Sequence, residues 1–337
     1  MGFEMKGKMR QLLFVLICFF LFIAGCAQKA DPFVTEDPPE EEKPFGSQGA
    51  RKGEHPLLVY TTIYPLFDFA VKIGGERVEV KQVIPPGGEA HDFEPTSADL
   101  VRLHGADLLI YNGLGLEPWV EKLLAAVEES QLKAVNSSEQ IKPLSFGDNG
   151  PHGGQNEHAG TEADPHVWLD PIRAKSQGEA IMKALVELDP EHAPVYEQNF
   201  RQLARDLEAL HEKFLAMSEK ALRKEFVVSH NAYAYLADRY GLEQKAIAGL
   251  SFAQEPGPKR MEELIRFIRE EKIPYLLVES NAPQRVAQAI QRETGAELLM
   301  LYNLENVSEE VLSQGHDYFS LMEHNLEVLK KALGQIE

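Results

Sequence analysis

The sequence predicts an α/β fold made of two doubly wound lobes with parallel sheets, joined by a long α-helix. Three observations predict it. Short apolar runs alternate with amphipathic segments from residue 57 onwards, the alternation stops near residue 171, and it resumes near residue 225. Strands that alternate with helices are typical of parallel sheets covered by helices on both faces.

The N-terminal lobe is predicted over residues 57–170. Thr96 or Ser97 is the expected N-cap of its second helix, Gly105 the stop of that helix, and Pro118 lies in the first turn of the third. Its predicted strands read LLVYTTIYPL (which runs into a turn), VEVKQVI, DLLIYNG and KAVNSS. Its predicted helices read FDFAVKIGG, TSADLVRLHGA and EPWVEKLLAAVEES.

A helical linker is predicted over residues 171–224, with a break near LDPEHAP. Its second part, VYEQNFRQLARDLEALHEKFLAMSEKAL, has an apolar residue every three or four positions, which indicates one long amphipathic helix. This helix is the connection between the two lobes.

The C-terminal lobe is predicted over residues 225–337, where the strand and helix alternation returns. Its predicted strands read EFVVSH, KAIAGL, PYLLVES and AELLMLY, and its helices NAYAYLADRYG, GPKRMEELIRFIREEK, APQRVAQAIQRETG and DYFSLMEHNLEVLKKAL. Two lobes joined in this way enclose a cleft, and ligands of open parallel sheets bind beyond the carboxyl ends of the strands.

The first 25 residues read as a signal peptide. Lys6, Lys8 and Arg10 precede an apolar run that is too short for a comfortable membrane span and ends in small residues. Residues 23–26, IAGC, resemble the lipobox of a bacterial lipoprotein, which implies cleavage before Cys26 and a lipid on its sulfur. The alternative is an uncleaved anchor helix. Both predict an exported protein tethered to the cell membrane on its extracytoplasmic face.

Residues 26–56 are predicted to be a disordered acidic tether, because they are rich in Pro, Gly and Glu and lack apolar periodicity. Cys18 and Cys26 are the two cysteines of the chain, so the mature body has no thiol for a disulfide or for a Cys-type zinc site. The formal charge of −19 argues against nucleic acid as a partner and is compatible with a cation ligand.

Three histidines and one glutamate fall in loops that follow predicted strands or precede the linker. Three imidazoles and a carboxylate are a four-ligand set that zinc prefers. Each residue also has a simpler interpretation, as a solvated loop histidine or as a polar residue that closes a strand, and no H-E-x-x-H signature is present. The four residues are His91, His166, His230 and Glu305.

Six segments resemble the zinc- and manganese-binding solute-binding lipoproteins of ABC importers. They occur in the family's order and cover essentially all of residues 57–335. The segments read GGEAHDFEPTSADL, YNGLGLEPW, DPHVWLDP, VVSHNAYAYLADRYGL, AQEPGPKRMEELI and DYFSLMEHNLEVL. The resemblance implies that the long linking helix is rigid, that it limits hinge motion, and that the metal lies in the cleft.

The resemblance also implies the ligands. The histidine of H-D-[FY]-E-P is His91, that of D-P-H-x-W-L-D-P is His166, and that of S-H-[DN]-A-[FY] is His230. Manganese-preferring relatives tend to have Glu at the third position. The fourth ligand of zinc members lies in a segment like N-P-L-E-G-L, which matches Glu305, although NLENV lacks the usual Pro and Gly. Since Mn²⁺ prefers oxygen ligands, three imidazoles favour Zn²⁺.

The segment GPHGGQNEHAGTEA corresponds to a loop that many zinc members fill with His, Asp and Glu. His152 and His158 are separated here by five residues and form no dense cluster. They could collect zinc weakly as an auxiliary site, or the loop could be mobile with two idle histidines. Trp168 is expected to pack beside His166.

The predicted function is capture and not catalysis. We expect the chain to act as a monomer that binds Zn²⁺ outside the cytoplasm and passes it to an ABC permease and its ATPase. The alternatives are a manganese-binding importer component, an adhesin, and a zinc-dependent hydrolase. A hydrolase needs an open metal position and a general base, for which Glu305 or Glu89 would be the candidates.

Overall fold

Two parallel four-stranded sheets form the framework of the protein. The computed structural model describes residues 55–126, 131–144, 163–249, 256–279 and 284–335. The N-terminal sheet has the order β2-β1-β3-β4, with Leu57 opposite Val78 and Val59 opposite Leu108. Its strands are β1 (Leu57–Thr61), β2 (Val78–Gln82), β3 (Leu108–Tyr111) and β4 (Lys133–Asn136).

The C-terminal sheet repeats this topology in the order β6-β5-β7-β8, again with parallel pairing throughout. Its strands are β5 (Glu225–Val228), β6 (Glu243–Ala246), β7 (Tyr275–Val278) and β8 (Glu297–Met300). In each sheet the strand order reverses between the two central strands, because the connections on either side of this point run toward opposite edges of the sheet. Such switch points open a crevice at the carboxyl ends of those strands, where ligands of doubly wound folds bind.

Helices flank both sheets. Those of the N-terminal lobe are α1 (Tyr64–Gly74), α2 (Ser97–His104) and α3 (Trp119–Ala126). The linker contains α4 (Pro171–Leu188) and α5 (Ala193–Lys220), separated by a 3₁₀ turn at Pro190–His192. The C-terminal lobe has α6 (Ala234–Tyr240), α7 (Pro258–Glu270), α8 (Gln284–Thr294), α9 (Glu309–Ser313) and α10 (Tyr318–Ala332).

The predicted fold class is confirmed, and so are the cap and stop predicted for α2, whereas Pro118 precedes the first residue of α3, Trp119. Thr96 is the N-cap of α2, in a capping box with Asp99, and Gly105 follows the helix as its C-cap. Two reciprocal hydrogen bonds of this kind satisfy amide groups that the first turn of a helix leaves free. Within the described ranges, no helix combines the length and the apolar character that crossing a bilayer requires.

The long helix α5 connects the two lobes through a shared core. At a rise of about 1.5 Å per residue, its 28 residues span about 42 Å. One continuous cluster of buried side chains includes Val59 of the N-terminal sheet, Trp168, Phe214 of α5, and Phe226 of the C-terminal sheet. Because these side chains pack together, the two sheets are held in a fixed relation within one compact unit, Ala50–Glu337.

Candidate metal centre

His91 reaches the cleft on the loop that leaves β2. The Val83 amide still donates to the Thr61 carbonyl (2.8 Å), after which the chain turns at Pro85–Gly88. The amide of His91 donates to Oε1 of Glu89 (3.3 Å), and the side chain of His91 is 13% exposed. Among the candidate ligands, His91 is therefore the one nearest to solvent.

His166 lies at the start of a 3₁₀ turn, Val167–Leu169, and is completely buried. Oδ1 of Asp164 accepts the His166 amide (2.9 Å) and lies 2.8 Å from Nδ1 of the ring. A proton on Nδ1, donated to this carboxylate, leaves Nε2 with a free lone pair. Trp168 packs beside the His166 ring, with centroids 5.2 Å apart, as predicted. The sequence DPHVW thus positions His166, and the carboxylate of Asp164 favours the tautomer with the proton on Nδ1.

His230 follows β5 at the switch point of the C-terminal sheet and is 1% exposed. Its Nδ1 lies 2.7 Å from Oε1 of Glu279, which comes directly after β7. The same oxygen accepts the Ser229 hydroxyl (3.1 Å). Carboxylates that hold the second nitrogen of a metal-binding histidine orient its ring and raise its basicity. Glu279 therefore aims Nε2 of His230 in the way that Asp164 aims that of His166.

Glu305 lies in the loop after β8, and its backbone is docked against the N-terminal lobe. Its amide donates to Oδ1 of Asn303 (3.0 Å) and its carbonyl accepts from the amide of Tyr64 (3.1 Å). The preceding residue, Leu304, has a φ of 59°, which is unfavourable for a branched side chain but is held by burial. Glu305 is itself 4% exposed.

The distances between these side chains match a zinc site. Nε2 of His91 lies 3.3 Å from Nε2 of His166, and Oε2 of Glu305 lies 3.6 Å and 3.9 Å from the same two nitrogens. Two ligands of tetrahedral zinc with bonds of about 2.0–2.1 Å are about 3.3 Å apart. The ligand atoms of these three residues fall within 4.8 Å of one another, and His230 adjoins them edge-on to His166 at 5.4 Å between ring centroids.

The electrostatics keep two of the imidazoles neutral. Burial, followed by the nearby imidazoles His166 and His230, lowers the pKa of His91 to about 2. Burial and then His230 lower the pKa of His166 well below its ordinary value. Burial also disfavours the charged form of His230, but Glu279 and the other carboxylates outweigh burial and raise its pKa. Neutral imidazoles can donate their lone pairs to a metal ion.

Burial raises the pKa of two carboxyl groups at the centre, those of Glu305 and Asp164. Burial, and then the charge of Glu89, raises the pKa of Glu305 to about 8. Burial raises the pKa of Asp164 to about 7, against the opposing hydrogen bond from the His166 amide. Since burial penalises the ionised form, a positive ion in the cleft stabilises the carboxylate of Glu305 directly.

Of the four residues that the sequence analysis selected from the described part of the chain, the structure brings His91, His166 and Glu305 together, and it places the ring of His230 beside that of His166 without adding its ligand atoms to the cluster. Asp164 and Glu279 were missed; Asp164 lies two residues before His166, whereas Glu279 follows β7 and meets His230 only across the sheet. Cys26, His152 and His158 lie outside the described residues, so their predicted roles stay predictions.

Comparison with known proteins agrees with this architecture. The family model of the periplasmic zinc-uptake complex component A, ZnuA, matches residues 59–332. The chain therefore belongs to the ZnuA family. It is 33% identical over 330 residues to the high-affinity zinc uptake system protein ZnuA of Bacillus subtilis, covering 95% of this chain and 97% of that one.

A second curated relative is the zinc-binding lipoprotein AdcA of Streptococcus pneumoniae, 33% identical over 287 residues. The match covers 85% of this chain but 57% of AdcA, so the chain spans little more than half of that relative's length. The Zn(II)-bound ZnuA-like domain of AdcA superposes with a TM-score of 0.72 at 33% identity, over 83% of this chain and all of that domain.

A third similar structure is the laminin-binding protein Lmb of Streptococcus agalactiae, with a TM-score of 0.73 at 29% identity. The match covers 82% of this chain and all of Lmb. Lmb is described as a bifunctional protein with adhesin and metal-transporting activity.

Proposed function

We propose that the protein captures Zn²⁺ outside the cytoplasm and delivers it to the permease of an ABC importer. The observation that carries the proposal is the cluster of His91, His166 and Glu305 in the cleft between the lobes, with the ring of His230 packed against His166. Membership of the ZnuA family and the zinc-bound state of a similar structure support it. His91, His166, His230 and Glu305 are the proposed ligands, and zinc is the transported substrate.

Zinc is favoured over manganese by the chemistry of the donors. Three nitrogens and one oxygen suit Zn²⁺, whereas Mn²⁺ prefers oxygen ligands. The separation of 3.3 Å between the Nε2 atoms of His91 and His166 fits a small tetrahedral ion. The depressed pKa values of both rings keep them available as nitrogen donors at neutral pH.

A binding protein is favoured over a zinc hydrolase. Four protein ligands leave no open position for a water molecule, which a catalytic zinc requires. Oε2 of Glu305 lies 3.6–3.9 Å from the two Nε2 atoms, a separation suited to a ligand and short for a base acting through an intervening water. Binding and release of the ion are thus the supported activity.

Competition between zinc and manganese tests the proposed specificity. We expect the purified protein to bind Zn²⁺ more tightly than Mn²⁺, and His230→Glu to shift the ratio of the two Kd values toward manganese by at least about tenfold. The substitution places a second acid beside Glu279, so H230E combined with E279Q separates the change of donor from charge repulsion. His104→Glu, on an exposed residue, is the matched control. Tighter binding of Mn²⁺ by the unaltered protein would contradict the proposal.

We propose the finer features of location and assembly from the sequence. Residues 1–25 are a signal peptide, Cys26 carries the lipid anchor, and residues 26–56 are the tether of a monomer with lobes at 57–170 and 225–337 and a linker at 171–224. His152 and His158 belong to an optional zinc-collecting loop. Radiolabelled palmitate should enter the unaltered protein in the producing cells and not Cys26→Ala. Equal labelling of the two proteins would contradict the proposed lipid anchor at Cys26.

A further inference from the structure

Asn306, the neighbour of Glu305, spans the cleft with its side chain. Its Oδ1 accepts the amide of Gly87 (3.1 Å), and its Nδ2 donates to the carbonyls of Pro85 (2.8 Å) and Gly88 (2.9 Å). One side chain of the C-terminal lobe thus makes three hydrogen bonds to a four-residue turn of the N-terminal lobe.

The turn at Pro85–Gly88 is shaped to receive this side chain. The Gly88 amide donates back to the Pro85 carbonyl (2.9 Å), and Gly87 has a φ of +79°, which residues other than glycine rarely adopt. A Cβ added to Gly88 would lie 3.0 Å from the Pro85 oxygen and 3.1 Å from Cγ2 of Ile84. The two glycines therefore allow the backbone to present one amide and two carbonyls to Asn306.

The turn leads directly into the metal centre. Glu89, Ala90 and His91 follow it, and Oε1 of Glu305 accepts the Ala90 amide (3.2 Å). Oε2 of the same carboxylate is the atom that faces the Nε2 atoms of His91 and His166. Consecutive residues of one loop, Glu305 and Asn306, therefore hold consecutive parts of the segment that carries His91.

We propose that Asn306 is a positioning residue that clasps the His91 loop to the C-terminal lobe and sets the rate at which zinc leaves the site. The inference rests on the proposed zinc-binding function. The clasp is closed when the side chain of Asn306 bonds to Gly87, Pro85 and Gly88, and His91 is then held beside Glu305. It is open when these bonds are broken, and the loop that carries His91, the most exposed ligand, can then move away from the other three ligands.

The exposure of these bonds suits a reversible clasp. Asn306 is half-buried, and its bonds to Gly87 and Pro85 are open to solvent. Water can replace these two partners one at a time, so breaking the bonds to Gly87 and Pro85 leaves those backbone groups hydrogen-bonded to solvent. His166, His230 and Glu305, in contrast, are at most 4% exposed. The clasped turn is therefore the most exposed part of the centre, bounded on either side by Ile84 and Ala90 of the shared core.

The test is the rate of zinc transfer from the loaded, full-length protein to an excess of a chromogenic chelator. We expect Asn306→Ala and Asn306→Gly to release zinc about tenfold faster, as the loss of a few solvent-exposed hydrogen bonds implies. Asn199→Ala is the matched control, because Nδ2 of Asn199 also donates to a backbone carbonyl of another element (Ile73, 2.9 Å), away from the cleft. Urea unfolding of the zinc-free proteins checks that N306A is no less stable than N199A.

Amide hydrogen exchange of the zinc-free protein supplies a readout independent of the metal. In N306A, the Gly87 amide loses its acceptor. The Ala90 amide keeps its acceptor, Glu305, but lies in a segment that is no longer held by Asn306, so both amides should exchange faster than in N199A. Faster release and faster exchange confined to the Asn306 variants support the clasp. Zinc release at the unaltered rate, or equally accelerated in N199A, overturns the clasp and leaves the zinc-binding function standing. Failure of the unaltered protein to bind zinc overturns both.

Discussion

Replacing His166 by alanine should reduce the affinity for zinc more than any other single substitution at the centre. His166 is completely buried, and its Nε2 lies within 3.3 Å of Nε2 of His91 and 3.9 Å of Oε2 of Glu305. Loss of a residue that merely hydrogen-bonds a metal ligand costs about 10- to 100-fold in affinity. Loss of the ligand itself is therefore expected to cost at least about 100-fold.

Isothermal titration of the metal-free protein with Zn²⁺ measures this effect. The control is His104→Ala, which removes an exposed histidine at the end of α2 and should leave the affinity unchanged. Far-ultraviolet circular dichroism establishes that H166A is folded. A folded H166A protein that binds zinc as tightly as the H104A control would show that the ion is held elsewhere.

Replacing Trp168 by alanine should cause a large loss of stability and lower the zinc affinity as well. The indole is completely buried, and Nε1 donates to the carbonyl of Asn303 (2.6 Å). The carbonyl of Trp168 accepts the hydroxyl of Tyr318 (2.6 Å). Truncation of a buried tryptophan costs about 3–5 kcal/mol in the free energy of unfolding, and here it also frees the loop that carries Glu305.

The matched control is Phe214→Ala, which truncates a buried aromatic side chain of α5 in the same core, stacked on Tyr240 at 5.4 Å. Urea denaturation should show a comparable destabilisation for both variants, since truncation of Phe costs a similar amount. Only W168A should weaken zinc binding at a temperature where both are folded. Equal zinc affinities for W168A and F214A would show that Trp168 does not support the metal centre.

Most strands and helices could be predicted because their burial follows the period of the sequence. β6 is an informative exception, since the predicted strand began at Lys245 and the observed one spans Glu243–Ala246. One of its two buried residues is Gln244, which is 3% exposed and accepts the Tyr233 amide through Oε1. A polar residue in a buried position removes the apolar alternation by which a strand is predicted. The short helix α9 was missed because five residues hold too little periodicity.

The candidate ligands could be predicted because they lie in loops that parallel topology brings to one edge of each sheet. Their partners depend on contacts between distant segments. Glu279 meets His230 only because β7 lies beside β5, 49 residues apart along the chain. Asn306 meets Pro85–Gly88 across 218 or more residues and between lobes. No local pattern contains such a contact, although an acid that ends the apolar strand YLLVE could have marked Glu279.

The most direct measurement of the central claim is diffraction at the zinc absorption edge from crystals of the zinc-loaded protein. The account predicts one strong anomalous peak in the cleft, within about 2.0–2.2 Å of a nitrogen from each of three histidines and an oxygen of one glutamate. Those residues are His91, His166, His230 and Glu305. A peak bound by other residues, or no peak in the cleft of crystals soaked to saturation, would contradict the account.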